Sequence, residues 1–381
     1  MTSTPLVASP LRRTPLFESH VAAGAKMVDF GGFEMPLKYA GESVEHLAVR
    51  NGVGVFDVSH MGEVFIEGEG ALAFVQSLVT NDAAKIVDGQ AMYAGLLNER
   101  GTFVDDVIVY RFSPTRFLVC VNAGNQDKDF VWIQQQAKFF DDRSPTASLT
   151  VRNESAAWSQ LAVQGPKAVD LVASLCGESV RAIKGYHFAA LPVLADKDAI
   201  VARTGYTGED GFELYVHNAY APALWDALVA GGAVPAGLAC RDTLRLEAGM
   251  CLYGNDIDDE HTPLEANLGW IVKLEGRPRF TGQDVLEQQK RDGTKRLLRG
   301  LEMLERGIAR HGYTVHASGE EGSGQIGVVT SGTQAPFVNK PIAMAYLDKP
   351  HSDLGSTVFV DVRGRKLKAS VVKLPFYKRP S

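Results

Sequence analysis

Two adjacent carboxylates, Asp105 and Asp106, stand at the start of an apolar run, Val107-Ile108-Val109-Tyr110, just after the turn-forming segment Asn98-Glu99-Arg100-Gly101. Side chains alternate between the two faces of a strand. Asp106, Ile108 and Tyr110 therefore share one face, and Asp105 takes the other. One carboxylate is placed to meet a sheltered space with an aromatic ring beside it. Desolvation raises the pKa of such a group, and a carboxyl poised near neutrality can accept or pass on a proton. The competing arrangement has both acids capping a turn in solvent, and spacing alone does not choose between them.

Three further segments could bind a ligand. In Arg203-Thr204-Gly205-Tyr206-Thr207-Gly208-Glu209-Asp210-Gly211-Phe212-Glu213-Leu214, glycines bracket polar groups before a strand begins. Glu213 lies inside that strand, where a buried charge is unusual. Either it answers a donor-rich ligand edge, or it sits on an exposed face and the glycines only shape the turn. Arg241 and Arg245 are one helical turn apart and share a face. Their guanidinium forks suit a ligand carboxylate, or equally Asp242 and Glu247 nearby. The stretch Tyr253 to Glu265 is dense in acids but lacks the ligand spacing of a calcium loop, so metal binding is not expected there.

Other familiar chemistry is missing. No phosphate-binding loop, HExxH pair or nucleophile elbow occurs, and Gly68-Glu69-Gly70 lacks the third glycine of a dinucleotide fingerprint. The nine histidines are scattered, and Cys120, Cys176, Cys240 and Cys251 match no zinc module or disulfide scaffold. Buried thiols in a reducing compartment are expected.

The elements that must hold these residues can be read from periodicity. Strands are expected at 63–67, 107–110, 117–121, 158–163, 199–203, 212–216, 324–330, 342–347, 357–362 and 366–372. Helices are expected at 71–78, 128–140, 166–175, 221–229 and 241–249, with Pro166 and Pro222 at tolerated starting positions. From about residue 296 the pattern is strands and turns alone, and the charged segment Gln288 to Lys295 reads as a linker. The chain is therefore expected to be α+β with a C-terminal all-β domain.

With 381 residues, more than one domain is expected. The net charge of -6 gives no basic surplus for nucleic acid, and no apolar run is long enough to span a membrane. The first 17 residues carry Arg12 and Arg13 and no acid before Glu18, a faintly transit-like composition. They are read as a disordered lead-in, with bacterial cytoplasm as the expected location and the mitochondrial matrix as the alternative.

The ordered set of motifs is similar to one family. Phe56-Asp57-Val58-Ser59-His60-Met61-Gly62 comes first, then Asn98 to Tyr110, Gly205 to Glu213, Ala239 to Gly249, Leu252 to Glu265, Val329-Thr330-Ser331-Gly332 and Leu374-Pro375-Phe376-Tyr377. Together they resemble the glycine cleavage T-protein family over about residues 14 to 379. The resemblance implies a three-domain cloverleaf folate-binding fold with a barrel-like C-terminal domain. The expected units are 1–55 with 150–250, 56–149 with 251–290, and 296–381. It also implies an aminomethyltransferase that uses tetrahydrofolate as co-substrate and no metal. The implied partner is a lipoylated H-protein, with the chain itself a monomer outside that transient complex. Asp106 matches the family's key aspartate near the pterin nitrogens, Tyr93 and Tyr110 match aromatic residues lining the folate, and Glu213 matches the pterin-binding carboxylate. Arg241 matches a folate-site arginine, Tyr377 or Arg379 matches a tail contact, and Met61 and Asn122 match pocket-lining positions. Two relatives of the fold are the alternatives: demethylases of sulfonium or N-methyl compounds, which would share these folate residues, and non-catalytic folate-binding scaffolds, which tend to lose the acid at the Asp106 position. The Asn255 to Glu265 motif favours the T-protein branch, and the retained acids argue against a scaffold.

Overall fold

The computed structural model describes residues 10–143 and 147–380. Residues 1–9 of the expected lead-in lie outside them. Arg12 and Arg13 do not belong to a disordered lead-in: Arg12 bridges to Phe33 through its backbone and lays its guanidinium 4.0 Å from that ring, and Arg13 pairs with Glu34 at 2.6 Å.

Helix α1 (Phe17–Ala22), strands β1 (Lys26–Phe30) and β2 (Phe33–Lys38), and helix α2 (Glu42–Asn51) lead into β3 (Gly54–Asp57). Next come β4 (Gly62–Glu67), α3 (Ala71–Leu78), β5 (Gln90–Leu97), β6 (Phe103–Ser113), β7 (Arg116–Val121), α4 (Gln126–Arg143) and β8 (Thr150–Asn153). The chain continues through β9 (Trp158–Gln164), α5 (Ala168–Cys176), β10 (Phe188–Val193), β11 (Lys197–Ala202), β12 (Gly211–His217), α6 (Ala221–Ala230), β13 (Val234–Pro235) and α7 (Leu238–Glu247). Helix α8 (Gln283–Asp292) precedes β14 (Arg296–Met303), β15 (Thr314–His316), β16 (Gln325–Gln334), β17 (Pro341–Asp348), β18 (Thr357–Val362) and β19 (Arg365–Val372).

Two sheets pack face to face. One has the order β5-β6-β7-β4-β8 and the other β10-β11-β12-β9-β3-β13. Phe65, Tyr110 and Leu118 of the first sheet meet Phe188, Ile200 and Tyr215 of the second in a shared apolar seam. The outer face of the five-stranded sheet is covered by α3 and α4, with Phe74 and Ile133 in its core. The outer face of the six-stranded sheet is covered by α5 and α6, with Val172 and Trp225 in its core. Each fully buried Leu, Val or Phe contributes about 1.5–3 kcal/mol relative to exposure, so these layers fix the sheets against each other. Sheet membership moves both expected cuts in this half. Strand β3 pairs with β9, so residues 56–57 go with the six-stranded sheet, and β8 pairs with β4, so residues 150–153 go with the five-stranded one.

The C-terminal strands close into a barrel, β14-β17-β16-β15-β18-β19. The linker expected at Gln288–Lys295 is mostly the end of α8 instead. Its charged residues are good helix formers, Leu286 is fully buried, and the helix stops only where Gly293 supplies a positive φ of 84°. A fourth core joins Leu246, Ile257 and Phe280 to Leu298, Met344 and Tyr346, and so seats the barrel on the rest of the chain.

Candidate functional site

Strand register carries the cavity wall. Tyr93 on β5 faces Ile108 on β6, Ile108 faces Cys120 on β7, and Cys120 faces Glu63 on β4. Directly opposed residues share a sheet face, so this row points one way, and Asp106, two residues from Ile108, points with it. At that end of the seam the two sheets part around a cavity of about 470 Å³. The segment after α7, including Met250, Tyr253 and Trp270, closes its remaining side.

Asp106 opens into this cavity. Its Oδ2 accepts a hydrogen bond from the Tyr93 hydroxyl at 2.9 Å, and its Oδ1 accepts one from Asn122 Nδ2 at 2.8 Å. Burial, then the nearby Asp105 charge, pushes its pKa up to about 7, against the pull of those two donors. Asp105 takes the opposite face. It is fully buried and accepts hydrogen bonds from the Asn122 backbone N–H and from Asn125 Nδ2. The alternation thus separates the two acids, and neither caps a turn in solvent.

Glu213 comes from the other sheet and also lines the cavity, 8% exposed. It accepts from Thr204 Oγ1 at 2.5 Å and from Gln160 Nε2 at 3.0 Å, while burial raises its pKa. The glycines before it serve geometry as well: Gly208 has φ +79°, and a Cβ on Gly211 would lie 2.3 Å from the Val163 carbonyl oxygen. Arg241 reaches the cavity from α7 and lies 4.6 Å from the centre of the Tyr206 ring. Burial lowers its pKa, yet Glu213 supplies an opposing charge across the site. The cavity therefore offers an acid–base carboxyl, a second carboxylate, a guanidinium and aromatic walls. That set suits a flat heterocycle with several N–H donors.

Comparison with known proteins identifies the family. Residues 16–276 match the GCVT N-terminal domain, and residues 296–378 match the glycine cleavage T-protein C-terminal barrel domain. The aminomethyltransferase of Bacteroides fragilis is 46% identical over 372 residues, 97% of this chain and all of that one. That of Geobacillus kaustophilus is 44% identical over 373 residues, 97% of this chain and 99% of its own. This chain belongs to the glycine cleavage T-protein family of aminomethyltransferases. The crystal structure of aminomethyltransferase T of the Bartonella henselae glycine cleavage system superimposes with a TM-score of 0.88 at 36% identity, covering 97% of this chain and 98% of that one.

Of the candidate site residues named from the sequence, Tyr93, Asp106, Ile108, Glu213, Arg241, Met61 and Asn122 all line the one cavity. Three do not. Tyr110 shares the face of Asp106 but lies deeper in the seam, where its hydroxyl is 2.9 Å from that of Tyr215 and its ring packs edge-on to Phe188. Tyr377 turns away because Leu374 and Phe376 dock into the barrel-seating core; it lies against the Arg50 guanidinium at 3.9 Å. Arg379 pairs with Asp210 at 3.5 Å, half exposed and outside the cavity walls.

Several wall residues escaped sequence reasoning. Gln160 and Tyr215 face each other across β9 and β12 and floor the cavity. Strand alternation from Glu213 would have found Tyr215. His60 is 2% exposed, lines the cavity and leaves Nδ1 without a partner; burial lowers its pKa to about 4, so its ring is neutral. Its place in the Asp57–Gly62 motif was the available signal. Trp270 arrives from a segment with no readable period. Among the described residues no group of three or more His, Cys, Asp or Glu side chains is placed to hold a metal ion, and no helix is long and apolar enough to cross a membrane. All four cysteines are buried and free.

Proposed function

We propose that this cavity binds tetrahydrofolate and that the chain transfers to it the methylene carbon of an aminomethyl group carried on the lipoyl arm of the H-protein. The products are 5,10-methylenetetrahydrofolate, ammonium and the dihydrolipoyl protein. The balance requires two protons to leave the folate nitrogens, one reaching the departing amine and one the sulfur. Asp106 is the group positioned to carry such a proton. Its pKa near 7 lets it accept and release one at neutral pH, and in its ionised form it stabilises a cationic carbon–nitrogen centre. Tyr93 and Asn122 hold the carboxyl in one orientation. Glu213 accepts from the pterin N–H edge, and Arg241 supplies the positive charge facing the same end. Much of the remaining acceleration comes from holding two reactants together.

The observation that carries this reading is the Asp106 carboxyl, aimed from its strand into a cavity that Glu213 enters from the opposite sheet. Family membership and bacterial relatives favour the cytoplasm, and we take the chain as a monomer outside its transient complex. Incubating the protein with aminomethyl-loaded, lipoylated H-protein and tetrahydrofolate tests the function. Formation of methylenetetrahydrofolate is expected. Turnover only with methylated amine or sulfonium donors would favour a demethylase, and folate binding without any transfer would favour a scaffold.

A further inference from the structure

Asp129, in the first turn of α4, is fully buried, and no group of ordinary donor chemistry reaches either of its carboxyl oxygens. The reaction above makes no use of it. A buried ionised carboxylate needs a counter-charge or donors, and here it has neither. Its side chain lies against Asp105, another fully buried acid. Lys128, the cation that acts on Asp129, spends its ammonium on the Val104 carbonyl at 2.6 Å and the Tyr253 hydroxyl at 2.9 Å. Asp106, Tyr253 and Cys120 are other titratable groups that act on this pair, and none brings positive charge.

One proton resolves the contact, and the surrounding donors say where it resides. Asp105 accepts from the Asn122 backbone N–H at 2.9 Å, from Asn122 Nδ2 at 2.9 Å and from Asn125 Nδ2 at 2.7 Å. That is the surrounding of an ionised carboxylate. Asp129 has no donors and so takes the proton. Burial, then the charge of Asp105, drives its pKa far above the usual range.

We propose that Asp129 is a positioning residue, a neutral carboxylic acid whose O–H donates to Asp105 and which, through Asp105 and the Asn122 carboxamide, fixes the carboxyl of Asp106. Asn122 Nδ2 joins the two ends, touching Asp105 Oδ1 and Asp106 Oδ1 alike. The functional part rests on the acid–base role of Asp106 given above; the protonation of Asp129 does not.

Two measurements on the full chain separate these parts. Infrared spectra at about pH 9, where Asp106 is ionised, are expected to contain a protonated-carboxyl stretch that Asp129→Asn lacks. Identical acid bands in both proteins would overturn the proposal, whatever the activity. In the pH profile of one-carbon transfer, Asp129→Asn keeps an N–H donor and should retain the parent's acid limb. Asp129→Val removes the donor from Asp105, whose charge then weighs more heavily on Asp106. Its limb should move alkaline by roughly half a unit or more. A parental limb in Asp129→Val, or the same displacement in both variants, would overturn the positioning role. Should Asp129→Val fail to fold, the infrared spectrum still decides the protonation, and a displaced limb in Asp129→Asn would still overturn the positioning role.

Discussion

At Asp106, burial and the neighbouring Asp105 charge oppose ionisation more strongly than Tyr93 and Asn122 favour it. An aspartate in the unfolded chain titrates near 3.8, and this one near 7. Between those pH values the folded protein keeps a proton that the unfolded chain has lost. Stability of the ligand-free protein therefore falls as pH rises through that window. Asp106→Asn removes the effect. Its unfolding free energy at pH 8 should exceed the parent's by about 1–3 kcal/mol, with the two converging near pH 4. Urea unfolding at the two pH values checks this, and a variant less stable than the parent at pH 8 would contradict it. Glu213 acts differently, as an acceptor held by Thr204 and Gln160. Glu213→Ala should raise the tetrahydrofolate Kd roughly 10- to 100-fold, the loss of a charge-assisted hydrogen bond. Calorimetry reads this directly, and an unchanged Kd would remove Glu213 from the pterin edge.

Helix α7 shows how far spacing can be read. One helical turn puts Arg241 and Arg245 on one side of the helix, but it could not say that one lines the cavity and the other is held in a buried ion pair. Arg241 reaches the cavity. Arg245, almost wholly buried, pairs with Asp256 at 2.5 Å and donates to Ser331 Oγ at 2.8 Å, tying the acid-rich loop and β16 to the helix. The density of acids between Tyr253 and Glu265 is thereby partly explained without a metal. Glu247 makes a second tie: it accepts from Arg50, His46 and the Phe337 backbone. The partners of Glu247 lie 90 to 201 residues away, so no local pattern could reveal them. Arg245→Met would strand a buried Asp256 charge and should cost about 3–5 kcal/mol. Thermal unfolding tests it. A neutral effect would mean that Asp256 is uncharged or solvated. Strand alternation, by contrast, put Asp105 and Asp106 on opposite faces, because a period of two leaves only two faces. It put Tyr110 on the face of Asp106, where it lies, but periodicity gives a face and not a depth along the seam.

Across the whole molecule, the cavity is walled by two facing sheets and by the segment from Gly249 to Trp270, which the barrel braces through Tyr346, Met344 and Leu298. Segmental pattern distinguished the barrel, because from residue 296 the chain reads as strands and turns with almost no helix. It could not reveal β3 crossing to join β9, or α8 where charge suggested a linker, because long-range pairing and a single buried Leu286 decide those. Deleting residues 296–381 should expose the shared apolar core. The truncated chain is expected to bind a hydrophobic dye, aggregate on size-exclusion chromatography and lose folate binding. A monomeric truncation with intact folate affinity would show that the barrel does not brace the site.

The most direct test compares single-turnover transfer of the methylene carbon with tetrahydrofolate affinity in the parent and in Asp106→Asn. The expected result is a loss of roughly 10²- to 10⁴-fold in the transfer rate with only a modest change in Kd, and a parental acid limb near pH 7 that vanishes in the variant. A variant that transfers at the parental rate, with the limb still in place, would contradict the assignment of Asp106 as the proton-handling group.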